Sequence, residues 1–490
     1  MKLYLKGHDY EYAATQMLLA LMPENKPVPA QKAPQKDEDG AISALFRGQK
    51  LYTGTCRLTL DGKTVTAAAR AAAPGADATK DDRVRLEQRL IKQSVFKAYC
   101  TLTGNTPPWG ALSGVRPTKL VTRHILQENG TAKSADKMMR TMYSVTPKRS
   151  RLCVEAGMHT VEAARSLKDD EISLYIGIPF CPTRCTYCSF VSHSIERSAN
   201  LLEPFLEALH RELEAVAEVI KDSGKVLRTI YIGGGTPTTL NASQLRSLIE
   251  KTKTVFDLSR LTEYTVEAGR PDTIDAEKLQ TLKELGVSRI SVNPQTMRDD
   301  VLKLMGRNHT CAQTEAAMEL ALAQGFEAIN ADMIAGLPGD DYRGFCDSLK
   351  KIIAYGPENI TVHTLSIKRG SELNANGGTI PSGEEVGRML DFAEDALRSA
   401  GYEPYYLYRQ KYMSGSFENV GWTKPGHDNL YNICMMEELH TVISCGGAGS
   451  TKVITADGKL VRQTNPKYPK EYITNIDRIL DDKKKINLKG

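Results

Sequence analysis

The pattern of hydrophobic and polar positions changes character near residue 170. Before it, residues 2–22 read as a strand and an amphipathic helix, and residues 23–40 as a polar, Pro- and Lys-rich loop. Residues 42–72 read as a β-hairpin turning at Asp61-Gly62-Lys63. Apolar residues at helical spacing predict helices near 81–103, 117–127 and 146–167, with a loop opening at Pro107-Pro108-Trp109-Gly110. Residues 1–165 are thus expected to form an N-terminal α+β domain, whose role the sequence does not assign.

From residue 171 short β-rich runs alternate with helical stretches. The strands fall at 173–178, 229–232, 264–268, 289–293, 328–334 and 360–365, and the helices near 200–222, 242–255, 275–285, 312–324 and 341–354. Six β–α repeats at this spacing predict a parallel sheet, because parallel strands need crossovers of this length. Right-handed crossovers curl such a sheet toward a barrel. Six repeats fall short of the eight in a closed barrel. The expected fold is therefore α/β, a partial (β/α)6 TIM-like barrel over residues 170–380. The rhythm then stops. A helix near 383–400, an aromatic strand over 402–408, a Gly-rich segment, a helix near 433–441, a hairpin at Asp457-Gly458 and a basic tail predict a mostly helical C-terminal cap domain over 381–490.

Composition narrows the picture only a little. The 490 residues are 41% hydrophobic and 25% charged, which suits a globular chain of several domains. A net charge of +5 lacks the clustered basic footprint of a nucleic-acid binder. No run approaches the ~18–20 apolar residues of a membrane helix. The opening Met1-Lys2-Leu3-Tyr4-Leu5-Lys6 has no signal-peptide core. The expected location is the cytoplasm, with no nucleic-acid or membrane partner.

Chemistry concentrates in one loop. Of ten cysteines, three lie in Cys181-Pro-Thr-Arg-Cys185-Thr-Tyr-Cys188, directly after the first barrel strand. Strand C-termini are where barrel folds place their active sites. Three thiolates on one loop can each hold an iron of a 4Fe–4S cluster, leaving the fourth iron open. Soft thiolates also suit zinc, and His193 is nearby, so spacing alone leaves both metals open. The remaining cysteines are scattered, as small buried apolar residues are.

The CxxxCxxC spacing, with the aromatic Tyr187 before the last cysteine, resembles the radical S-adenosylmethionine (SAM) superfamily. The string Leu174-Tyr175-Ile176-Gly177-Ile178-Pro179-Phe180-Cys181 resembles the oxygen-independent coproporphyrinogen III oxidases, and most of all their HemZ-like coproporphyrinogen dehydrogenase branch. The resemblance covers about residues 170–460. It extends more loosely to Leu112-Ser113-Gly114-Val115-Arg116-Pro117-Thr118-Lys119.

That resemblance implies a 4Fe–4S cluster on Cys181, Cys185 and Cys188. It implies SAM contacts at Tyr175, Tyr187, Gly235, Thr236, Glu267, Gln295, Arg307, Asp332 and Ser366. Each position also has a plain reading. Gly233-Gly234-Gly235 alone would be an ordinary turn, a strand-end Glu267 or Asp332 could serve a loop amide, and an isolated Arg307 would be a solvated cation. Their order along the barrel is what matches the family. The implied reaction is oxidative decarboxylation of two propionates of coproporphyrinogen III to give protoporphyrinogen IX, in haem biosynthesis. Reductive cleavage of SAM would drive it, with electrons from a donor such as flavodoxin or ferredoxin. Arg369, Arg409 and Lys411 are candidate partners for the substrate's carboxylates. No catalytic acid or base is assigned.

Three departures stand out. Gly177 replaces a His of many coproporphyrinogen oxidases, and Ser189-Phe190 stands where that branch has a further cysteine. His427-Asp428-Asn429-Leu430-Tyr431-Asn432 differs from the His-Asn-x-x-Tyr-Trp string of haem chaperones. The alternatives are a haem-binding chaperone that keeps the cluster, or a radical SAM enzyme acting on another tetrapyrrole.

Overall fold

The computed structural model describes residues 1–35, 37–188, 193–366, 381–410, 417–455 and 457–488. The chain divides into two units, Met1–Glu155 with Arg409–Phe417, and Ala156–Tyr408 with Glu418–Gly490. In the first, β1 (Lys2–Lys6), β2 (Val28–Pro29), β3 (Gly40–Arg47), β4 (Leu51–Leu60) and β5 (Lys63–Ala72) form one sheet in the order β2-β1-β3-β4-β5. The hairpin predicted over 42–72 is its β4–β5 edge, turning at Asp61-Gly62 with both residues at positive φ. Helix Lys80–Thr103 buries Ile91 and Val95 against Leu3 and Leu58 of the sheet. A further helix, Ala132–Tyr143, lies outside the sequence prediction. It fully buries only Ala135 and Met139, too narrow a stripe to stand out, and its start is set by a Thr131–Ser134 capping box.

In the second unit, β6 (Glu171–Ile178) is followed by two short pieces, β7 (Phe180–Cys181) and β8 (His193–Ser194), which pair with each other in parallel. Then come β9 (Val226–Gly234), β10 (Glu263–Gly269), β11 (Arg289–Gln295), β12 (Ala328–Ala335) and β13 (Asn359–Thr364). Strands β6 and β9 to β13 lie side by side in sequence order, all parallel, with the predicted helices as crossovers. This is the partial (β/α)6 barrel.

The period of two sorts its faces. Leu174, Ile176, Ile178, Ile230, Ile232, Val266, Ile290, Val292 and Ile329 pack against helix residues such as Leu209, Leu213, Leu248 and Leu282 in one core. Full burial of each such side chain contributes roughly 1.5–3 kcal/mol. The alternate positions carry Tyr175, Tyr231, Glu267, Asn330, Asp332 and His363, so the opposite face is polar and aromatic.

The C-terminal segment adds β14 (Glu403–Arg409), β15 (Glu418–Thr423), β16 (Val442–Gly446), β17 (Ser450–Ile454) and β18 (Leu460–Thr464). Helices still hold more of it than strands do. The strands, however, extend the barrel sheet on both sides. β15 pairs antiparallel with β13, and β16 pairs parallel with β6. Neither edge of the six-strand core is left open.

A buried polar knot fixes β16 in place. Glu212, on helix Leu202–Ser223, accepts the Gly446 N–H at 2.7 Å, the Asn465 amide at 2.7 Å and the Tyr472 hydroxyl. Lys483 reaches it at 3.4 Å and donates to the Ser444 carbonyl at 2.6 Å. Glu212 and Lys483 are both fully buried. Gly446 and Gly447 in turn lie against Gly177 and Pro179, at the root of the cysteine loop.

Candidate active site

The loop carrying the three cysteines is fastened at several points. Phe180 anchors its start, buried edge-on against Phe205 with ring centroids 5.4 Å apart. Thr183 donates its hydroxyl to the Gly306 carbonyl at 3.0 Å, and the Thr186 N–H bonds the Met305 carbonyl at 3.1 Å. The Cys188 N–H closes a turn onto the Cys185 carbonyl at 3.1 Å. Tyr187 packs among Val301, Met305, Ile334, Leu337 and Leu365, and its hydroxyl accepts from Arg307 at 3.1 Å. Burial pushes the Tyr187 phenol upward, so it stays neutral. All three cysteines are half-buried.

The glycine triplet belongs to this assembly rather than to a free turn. The Gly235 N–H bonds the Ile178 carbonyl and the Thr236 N–H bonds the Phe180 carbonyl. A Cβ on Gly235 would lie 2.4 Å from the Phe180 oxygen and 2.9 Å from the Cys181 sulfur. Gly234 has φ +118, open only to glycine, and its N–H points to Glu267 Oε2 at 3.3 Å. Thr236 holds its hydroxyl 3.5 Å from the Cys181 sulfur. The N–H groups of Gly234 and Gly235 are thus already bonded within the protein.

Glu267 stands next to the triplet, and Tyr231 donates to its Oε1 at 2.5 Å. Burial lifts its carboxyl to about 7; repulsion from Asp332 adds, and the Tyr231 and Gly234 donors oppose. Tyr231 also stacks with Tyr431, centroids 4.4 Å apart, and Tyr175 stacks beside both. Tyr431 is buried, with a hydroxyl that has no hydrogen-bond partner among the described residues. Asp332 accepts from the Asn330 amide at 2.8 Å and has His363 Nε2 at 3.8 Å. Burial works against ionisation of Asp332, but His363, Asn330 and Thr361 outweigh it and hold its carboxyl below the ordinary range.

Arg307 is buried, donating to the Asn293 carbonyl at 2.6 Å with Nη1 3.9 Å from the Cys185 sulfur. Gln295 is buried at a register shift of β11, with a left-handed φ of 69. Strained backbone of this kind gathers at ligand sites. Ser366 lies half-buried just past β13.

Most of the predicted residues fall into two groups, with Cys188 hydrogen-bonded to Cys185 through the backbone, Gln295 at the end of β11 and Ser366 just past β13. Cys181, Cys185, Tyr187, Gly235, Thr236 and Arg307 are joined by the contacts above, and Tyr175, Glu267 and Asp332 line the polar face beside them. Arg409 is placed elsewhere. It is buried in the first unit, with Nη1 donating to the Leu112 carbonyl at 2.6 Å and its guanidinium 5.2 Å over the Trp109 ring. That structural engagement removes it from the substrate candidates. Arg369, Lys411, Ser189 and Phe190 lie outside the described residues.

Sequence reasoning passed over Tyr231, His363 and Arg270. The first two could have been found by following the odd positions of each strand. Arg270 had no such signal. The donor set fits a cluster: soft thiolates on one tied-down loop, guanidinium donors beside one sulfur, and a glycine where a side chain would strike another.

Comparison with known proteins agrees. The Radical SAM superfamily model matches residues 175–352. The oxygen-independent coproporphyrinogen-III oxidase-like protein HemZ of Bacillus subtilis (strain 168) is 40% identical over 405 residues, 81% of each chain. The heme chaperone HemW of Haemophilus influenzae is 29% identical over 305 residues, 62% of this chain and 76% of its own. The solved structure of coproporphyrinogen III oxidase (HemN) from Escherichia coli, described as a radical SAM enzyme, superposes with a TM-score of 0.52 at 20% identity, over 65% of this chain and 72% of that one.

Fold and site define a radical SAM protein, a class whose cofactors are a 4Fe–4S cluster and SAM. The choice between iron–sulfur and zinc that cysteine spacing left open is thereby closed. Within that superfamily the chain belongs to the oxygen-independent coproporphyrinogen III oxidase family, in its HemZ-like branch.

Proposed function

We propose that this protein oxidatively decarboxylates two propionate side chains of coproporphyrinogen III, giving protoporphyrinogen IX without oxygen. The observation that carries this reading is the 40% identity to the HemZ protein across 81% of both chains. A match of that length necessarily includes the cysteine loop and the barrel strands.

When bound, a reduced cluster and SAM supply one-electron cleavage of the sulfonium and a strong hydrogen-atom acceptor. The chain's own part is to hold and orient. Cys181, Cys185 and Cys188 would supply the thiolates that hold the cluster. Glu267, beside Gly233–Gly235, would take the SAM ammonium, whose positive charge would favour the carboxylate form. Arg307 takes the carboxylate of SAM, and Asp332 its ribose hydroxyls. The Tyr175–Tyr231–Tyr431 stack forms an aromatic wall that keeps water from the reacting carbon. Electrons come from a flavodoxin- or ferredoxin-like donor.

The HemW relatives favour a second reading, a haem chaperone that retains the cluster. The segment around His427 is held structurally here through its backbone and its neighbours. Asp428 bonds His159 Nδ1 at 2.6 Å, Asn429 caps the following helix, and the His427 carbonyl accepts from Arg289 and Asn359.

Anaerobic incubation of the reconstituted protein with coproporphyrinogen III, SAM and reductant tests the proposal. Formation of protoporphyrinogen IX, absent in Cys185→Ser, supports it. Stoichiometric haem binding without decarboxylation contradicts it.

A further inference from the structure

A second guanidinium faces the cysteine loop. Arg270 follows β10 in Gly269-Arg270-Pro271-Asp272 and is buried. Its Nη1 lies 3.9 Å from the Cys185 sulfur and 3.0 Å from the Thr183 hydroxyl. The other side of the guanidinium is locked in a fork: Nε and Nη2 bond the two oxygens of Asp272, each at 2.8 Å. Planar two-point bonding of this kind fixes where the remaining N–H points. Arg307 approaches the same sulfur, also at 3.9 Å, from β11's side of the loop. Two cations thus converge on one thiolate of the three. Asp272 is the counter-charge, held ionised by Arg270 against the opposing effect of burial. Buried His309, 3.7 Å from Asp272, is pushed down to about 3 by burial and the two arginines, so it adds no charge.

Charge near a cluster and hydrogen bonds to its sulfurs both set its reduction potential. A reduced cluster carries one more negative charge than an oxidised one. A buried cation with an N–H aimed at a ligand sulfur therefore favours the reduced form, and low local polarisability strengthens the effect. We propose that Arg270 is a positioning residue that tunes the cluster: it steadies the loop through Thr183 and, with Arg307, raises the cluster's reduction potential through Cys185. Asp272 sets how far, by aiming Arg270 and partly cancelling its charge. The proposal rests on the cluster assignment above, but not on the identity of the substrate.

The test is a redox titration of the anaerobically reconstituted full-length protein, followed by electron paramagnetic resonance, without substrate. Iron and sulfide content of the wild type reports on the cluster assignment by itself. Differences in midpoint between variants report on Arg270. Arg270→Gln, which keeps polar bulk and removes the charge, is expected to shift the midpoint to a more negative potential. Asp272→Asn, which removes the counter-charge, is expected to shift it to a more positive one. Opposite signs distinguish electrostatic tuning from a loosened loop, which would move both variants the same way. Should Arg270→Gln fail to load iron, the sign in Asp272→Asn decides. An unchanged midpoint in a fully loaded variant, or shifts of the same sign, would overturn the proposal.

Discussion

Gly235 and Cys181 are in direct contact: a methyl group on Gly235 would stand 2.9 Å from the Cys181 sulfur. The neighbour on the other side is the Phe180 carbonyl, which is backbone and gives little. Gly235→Ala is expected to cost about 1–3 kcal/mol, the usual penalty for overpacking, and to lower the iron bound per chain after anaerobic reconstitution. Gly75→Ala is the control, since its Cβ meets nothing within 4 Å. Equal iron content in the two variants would contradict the packing described.

Glu267 gives a pH dependence. Its carboxyl sits at about 7 in the folded chain against an ordinary 4.5. The folded state keeps a proton that the unfolded chain releases. The group's contribution to stability is therefore complete below about pH 4.5 and is lost as pH rises through about 7. The expected loss is about 1–3 kcal/mol. Urea midpoints of the metal-free protein from about pH 5 to about pH 8 should fall more steeply for wild type than for Glu267→Gln. Parallel profiles would show that Glu267 does not titrate there.

The Glu212–Lys483 pair predicts a large effect on stability. Lys483→Met leaves the Glu212 carboxylate buried without its cation, at a cost of about 3–5 kcal/mol. The double variant Glu212→Gln, Lys483→Met should recover part of that loss, because the two residues share one network. Trp422 lies in the barrel unit, so its fluorescence in a Trp109→Phe background reads the unfolding of that unit. Additive losses in the two single variants would argue against coupling.

Tyr431 makes the opposite prediction. Its hydroxyl is buried with no hydrogen-bond partner among the described residues, and removing such a group costs nothing and relieves a desolvation penalty. Tyr431→Phe should leave the ligand-free protein as stable as wild type or up to about 1 kcal/mol more so. A clear loss of stability would mean that the hydroxyl has a partner in solution.

The barrel was legible because each of its strands alternates locally, as in Ile329-Asn330-Ala331-Asp332-Met333, and the helices between carry their own period. The cysteine loop was legible because its ligand residues are adjacent in sequence. What stayed hidden depends on distant partners. β16 is five residues long and pairs with β6 from the other end of the unit, so no local pattern announces it. Arg270 reads as a surface cation until Asp272, Thr183 and Cys185 are seen around it. Arg409 was misplaced for the same reason: its chemistry suits a carboxylate, and only the fold reveals that Leu112 and Trp109 hold it.

The central claim is that this chain directs hydrogen abstraction to the propionate side chains of a tetrapyrrole. The most direct measurement uses coproporphyrinogen III deuterated at the propionate β-carbons, incubated anaerobically with SAM and reductant, with mass analysis of the 5′-deoxyadenosine released. The account predicts deuterium in that product together with carbon dioxide release. Cleavage of SAM with no deuterium transferred and no carbon dioxide formed would contradict it.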